Sequence, residues 1–155
     1  MKKIIALIAA LAMVLSLVAC GGSNNNNSTA DQANAADVST YDKDFEGLQK
    51  YITDRNSSAA KNELFYDMVG ADNGIRLVLN NNAYVEIYDY SKADNDTAKS
   101  IIEDVKDDNK FKPVADGAEL AGKLTNSGKY VLAWDTTRSY DYDKKVVTEE
   151  LLENW

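Results

Sequence analysis

Histidine is missing from the 155-residue sequence and cysteine occurs once, at Cys20. Ser-His-Asp and Cys-His catalysis are therefore excluded, as are zinc and copper sites built mainly from His and Cys. No P-loop and no G-x-G-x-x-G run is present to cradle a nucleotide, so no cofactor is expected. What remains is carboxylate, lysine, serine and tyrosine chemistry. With 25 acids in the chain, pairing any two as a glycosidase acid and base has little specificity. A carboxylate hydrolase acting on envelope or extracellular glycans would need a shielded acid such as Glu86 beside a second one.

Oxygen ligands for calcium cluster at Asp94, Asn95 and Asp96, and again at Asp135, Asp141 and Asp143. An EF-hand loop needs glycine at its sixth position and glutamate at its twelfth. Counted from Asp94 these are Lys99 and Val105, and from Asp141 they are Val146 and Leu152. Neither cluster fits, helix capping accounts for the first, and no metal site is expected.

The nine tyrosines are the more informative group. Along Ala83 to Tyr90, alternation puts Ala83, Val85 and Ile87 on one face and Tyr84, Glu86, Tyr88 and Tyr90 on the other. Tyr130, Leu132 and Trp134 share a face of a later strand. Aromatic residues are ordinary strand residues that pack across a sheet. An exposed face of Tyr84, Glu86, Tyr88 and Tyr90, with Trp134 as a further aromatic, would instead offer rigid amphipathic rings to a protein, peptide or carbohydrate ligand. That second reading requires the tyrosines to be exposed and contiguous.

Cys20 has a context of its own. Lys2 and Lys3 precede an apolar run from Ile4 to Val18, broken by Ser16, and the chain turns polar directly after the cysteine. This is the layout of a secretory signal peptide, with an apolar run of about 15 residues where a spanning helix takes roughly 20. Leu17-Val18-Ala19-Cys20 resembles the lipobox of bacterial lipoproteins. The resemblance implies a diacylglyceryl group on the Cys20 thiol, cleavage after Ala19, and anchorage at the extracytoplasmic face of the cell membrane. Two acyl chains make a stable anchor where one holds only marginally. The Gly-Ser-Asn stretch that follows is similar to the linkers of small Gram-positive surface lipoproteins.

Residues 1–19 thus read as a signal peptide and residues 20–40 as a lipidated cysteine with a low-complexity tether, including Asn24 to Asn27, whose reach is about 25 Å. Residues 41–155 read as one globular domain. Without residues 1–19 the chain keeps 15 basic and 25 acidic side chains, a charge of −10. So acidic a surface excludes nucleic acid and disfavours peripheral binding to anionic lipid, which leaves contact with the membrane to the anchor.

The elements of the domain follow from periodicity. Phe45, Leu48 and Ile52 mark a helix between Asp44 and Asp54, and Ala98, Ile101, Ile102 and Val105 mark another over about Asp96 to Asp107, with Ser91 or Asp94 near its start. Ala59 to Ala71 fits either period and reads best as a short helix stopped near Gly70. Ile75 to Tyr90 reads as a hairpin around Asn80 to Asn82, and Glu119 to Thr136 as a second around Asn126-Ser127-Gly128. Pro113 demotes Phe111 to Val114 to an edge strand. A final helix is predicted over about Tyr142 to Asn154. The expected fold is α+β, an antiparallel sheet of two hairpins packed with three or four helices. The expected function is a non-catalytic, lipid-anchored extracytoplasmic binding or interaction module, the alternatives being the hydrolase above or an accessory subunit of an envelope complex.

Overall fold

The computed structural model describes residues 36–56, 60–79, 83–113, 117–137 and 145–155. The fold is α+β, one six-stranded sheet with helices on both faces. Residues 1–35, and with them the lipobox and Cys20, lie outside the described residues. Among the described residues no helix is long and apolar enough to cross a membrane.

Helix α1 (Phe45–Arg55) starts where the Asp44 side chain accepts from the Gly47 backbone N–H, and it turns Leu48, Tyr51 and Ile52 inward at i, i+3 and i+4. Before it, Val38–Thr40 form one 3-10 turn whose Asp37 cap accepts from Ser39. The Arg55 guanidinium holds the Ala36 carbonyl at 2.8 Å, so the folded part starts a few residues ahead of Tyr41.

The segment expected as a short helix before Ala71 is split. Lys61–Glu63 form strand β1, and only Tyr66–Val69 close a 3-10 turn, ended by Gly70 in the left-handed region. β1 wins its residues by pairing with Ile75, Arg76 and Leu77, which a periodicity drawn from neighbouring side chains does not register.

Strands β2 (Asn73–Val78) and β3 (Tyr84–Asp89) form the first hairpin. β5 (Leu120–Leu124) and β6 (Tyr130–Trp134) form the second, with Gly128 at φ +73°, a conformation open to glycine. The two hairpins are not separate layers: β3 pairs antiparallel with β6, giving the order β1-β2-β3-β6-β5-β4, antiparallel throughout. β4 (Lys110–Phe111) is the far edge, with Pro113 just past it as expected.

Helix α2 (Asp96–Asp108) takes Asn95 as its cap, rather than Ser91 or Asp94, because the Asn95 side chain reaches the Ala98 N–H at 2.8 Å. Asp94 pairs with Lys99 instead. At the C-terminus the helix α3 spans Glu149–Asn154, capped by Thr148. It is shorter than the predicted Tyr142 to Asn154, whose first residues, to Lys144, lie outside the described set.

Each sheet face has its own core. On one, Leu77, Val85, Ile87, Leu132 and Trp134 pack against α1, Val147, Leu151 and Trp155. On the other, Tyr88, Tyr90, Val131 and Ala133 pack against Val69, Phe111 and the Ala98-Ile101-Val105 stripe of α2. Each aliphatic side chain removed from water in these layers contributes about 1.5–3 kcal/mol. Trp155 is fixed by its indole N–H to the Asp44 carbonyl, while the β5–β6 turn donates from Asn126 and Ser127 to the carbonyls of Leu152 and Trp155.

Candidate functional site

The aromatic face predicted on β3 is present in its alternation but not in its exposure. Tyr84, Glu86, Tyr88 and Tyr90 do share a face, yet Glu86, Tyr88 and Tyr90 are buried and only Tyr84 is half-exposed. α2, Phe111 and the Tyr66–Val69 turn cover that layer, so the exposed tyrosine platform is not formed. Trp134 is buried as well, on the opposite side of the sheet with Tyr130 and Leu132.

Each ring has a structural task. The Tyr88 ring lies 4.6 Å from that of Phe111, and Gly74 across the strand leaves room for it and for Tyr66, where a Cβ would come within 2.7 Å of the Tyr66 side chain. The Tyr90 hydroxyl donates to the Val69 carbonyl at 3.2 Å, tying the 3-10 turn to the sheet. Burial pushes the Tyr88 and Tyr90 hydroxyls well above the usual tyrosine range, and for Tyr88 the neighbouring Glu86 charge adds to the effect.

Glu86 is 2% exposed and fully engaged. One carboxylate oxygen accepts from Arg76 Nε at 2.9 Å and from Arg76 Nη2, and the other accepts from the Tyr88 hydroxyl at 2.8 Å. The guanidinium lies over the Tyr84 ring, 4.4 Å from its centroid. Burial works against the Arg76 charge, but the carboxylate outweighs it and the guanidinium holds its proton more tightly than usual. Glu86 is thus the shielded acid a hydrolase would need, but its oxygens face a cation and a phenol instead of a second acid. Among the described residues no group of three or more His, Cys, Asp or Glu could hold a metal ion. Asp135 of the second acidic cluster accepts from Thr137, and Asp141 and Asp143 lie outside the described residues.

The open site is elsewhere. Between α1 and the β1–β2 edge runs a groove of about 690 Å³, within the range of ligand-binding clefts, with Phe45 and Ile75 as its apolar part and Glu46, Gln49, Lys61 and Glu63 as its polar part. Asn73 and Gly74 close it at the start of β2, and Lys50, Thr53 and Asp54 continue it along the helix. Phe45 and Ile75 are half-buried against the core, so they offer part of their surface to the groove.

Gln49 is the unusual residue of this groove. It is 6% exposed, and Lys61 Nζ donates to its Oε1 at 3.0 Å, which fixes the orientation of the amide. Its Nε2 donates to no atom among the described residues. A buried amide with two unused hydrogens costs about 1–3 kcal/mol and calls for an acceptor.

The charges along the groove are unequal in their engagement. Lys50 pairs with Asp54 at 2.7 Å, an exposed i,i+4 pair that holds the Asp54 carboxyl below its usual range, with the Tyr41 hydroxyl as a second donor. Lys61 is held by Gln49. Glu46 and Glu63 enter no ion pair among the described residues.

In sequence, Gln49 sat on the inner side of the first helical stripe with no motif around it. Only its polarity within that stripe, between Leu48 and Ile52, could have marked it. A second surface feature is the pair Phe65, just before the 3-10 turn, and Met68, within it, 83% and 59% exposed. Compared with known protein families, curated proteins and solved structures, the chain matches none.

Proposed function

We propose that the protein is a lipid-anchored binding module at the extracytoplasmic face of the cell membrane, held there through Cys20 and binding its ligand in the groove between α1 and the β1–β2 edge. The address rests on the lipobox Leu17-Val18-Ala19-Cys20 and the polar tether behind it. The observation that supports binding is the Gln49 amide, buried in the wall of an open groove with its Nε2 hydrogens lacking an acceptor. A ligand carbonyl or carboxylate would restore the hydrogen bonds that folding leaves unmade.

Membrane fractionation tests the address. Wild-type protein is expected with the membranes and Cys20→Ala in the soluble or uncleaved pool. A Cys20→Ala chain that fractionates as wild type does, at the same processed size, would refute the anchor. A photo-crosslinking side chain at Thr53, in the groove, tests binding against the same group at Asp104 on the exposed side of α2. Adducts specific to Thr53 are expected in whole cells, and equal labelling at both positions would sink the binding reading.

A further inference from the structure

The groove carries information about the class of its ligand. Three features have to be satisfied together: an acceptor for Gln49 Nε2, an apolar group against Phe45 and Ile75, and positive charge for Glu46 and Glu63. Resting on the binding reading above, we propose that the groove takes a basic peptide segment in extended form.

A peptide meets all three requirements with one repeating chemistry. Its backbone carbonyl accepts from Nε2, an aliphatic side chain covers the half-buried Phe45 and Ile75, and a Lys or Arg side chain sits between Glu46 and Glu63. Of the cations already in the groove, Lys50 is offset by Asp54, and Lys61, which keeps its charge because Gln49 is neutral, is outnumbered by Glu46 and Glu63. Gln49 is fixed in the orientation that reads an acceptor, since Lys61 requires oxygen, not nitrogen, on its own side. A groove of this volume has room for such a segment, which a simple inorganic cation would leave mostly empty.

Other ligand chemistries leave something unmet. A neutral sugar provides acceptors for Gln49 but leaves Glu46 and Glu63 without a cation. An acidic peptide would bring like charge to Glu46 and Glu63, in a chain whose net charge is −8.

The test uses the full mature chain, isotope-labelled, in nanodiscs of zwitterionic lipid. Three end-blocked peptides are titrated in, alternating Lys/Val, Glu/Val and Ser/Val, together with a chitin tetrasaccharide, and the readout is the Gln49 side-chain amide signal with the backbone signals of the groove. The Lys/Val peptide is expected to shift the Gln49 amide and to bind at least about tenfold more tightly than the Glu/Val peptide at low salt, the gap narrowing as salt screens the charges. Glu46→Gln and Glu63→Gln are each expected to weaken it by about threefold, as rim charges do. Equal or tighter binding of the acidic peptide, the neutral peptide or the sugar at the same signals overturns the basic-peptide assignment while leaving a binding module. If no probe moves a groove signal, the assignment falls, and crosslinking at Thr53 decides separately whether the binding reading falls with it.

Discussion

Two of the polar side chains buried among the described residues are held under opposite terms. Glu86, on the tyrosine side of the sheet, has Arg76 on one oxygen and Tyr88 on the other, and packing closes around the group. Gln49, on the other side of the sheet and in the wall of a groove, is nearly as buried, yet Lys61 engages only its oxygen and its nitrogen donates to no described atom. A carboxylate taken out of water is tolerable when a cation pairs with it and both its oxygens find donors. A half-satisfied amide is tolerated at a cost, and residues that bind ligands are where such a cost is retained. Glu86 therefore reads as part of the scaffold and Gln49 as part of a site, although from sequence Glu86 was the more conspicuous of the two.

The largest effect should come from opening the closed side of that comparison. Arg76→Met strands the Glu86 charge in the sheet and is expected to cost about 3 kcal/mol in denaturant unfolding, the low end for a broken buried pair because the Arg76 side chain is itself 38% exposed. Arg76→Met combined with Glu86→Leu should regain most of that loss, since two apolar groups leave no charge unpaired. A double variant as unstable as the single one would show that the pair, and not the stranded charge, stabilises the sheet.

A smaller effect tests the Tyr88 hydroxyl. Tyr88→Phe removes the donor to Glu86 Oε2 and is expected to cost about 1–2 kcal/mol at neutral pH. The same variant changes the alkaline limb. Tyr88 and Tyr90 are raised above the ordinary tyrosine value by burial, and Tyr51 is pushed up to about 12, by burial first and then by its hydrogen bond to Glu150. A group raised on folding contributes stability that is complete below its unfolded value and is lost as pH rises through the folded one. Stability should thus fall above pH about 10, by about 1.4 kcal/mol per pH unit for each such tyrosine. Tyr88→Phe should make that slope shallower by one tyrosine's share. An unchanged slope would mean that the Tyr88 hydroxyl reaches solvent in the folded state.

What the sequence disclosed follows the same division. The two hairpins, α1, α2 and the α+β class came from period and turn residues, because each depends on neighbours close in the chain. The joining of the hairpins through β3 and β6, and the pairing of Lys61–Glu63 with β2, depend on partners distant in sequence and left no local trace. The tyrosine alternation was legible, but whether α2 and Phe111 lay over it was not, since a strand with two apolar faces reads the same whether a tyrosine layer is covered or open. Gln49 was hidden for a related reason: one polar residue on a buried stripe has meaning only once the strand across the groove is in place.

The finest test of the comparison is Gln49→Met. Methionine matches glutamine in length and in helix propensity, so α1 should be undisturbed. The change removes a buried amide with idle donors and returns the exposed Lys61 ammonium to water, where it is fully solvated. Unfolding free energy should therefore stay level or rise by up to about 1 kcal/mol, the reverse in sign of a break at Glu86. Affinity for the Lys/Val peptide should drop about tenfold or more in the same variant, because the one donor aimed at the ligand carbonyl is gone. Gain of stability with loss of binding is the signature of a residue kept for a ligand. If Gln49→Met destabilised the fold by more than about 1 kcal/mol with binding unchanged, the amide would have an acceptor within the protein and Gln49 would join Glu86 as scaffold.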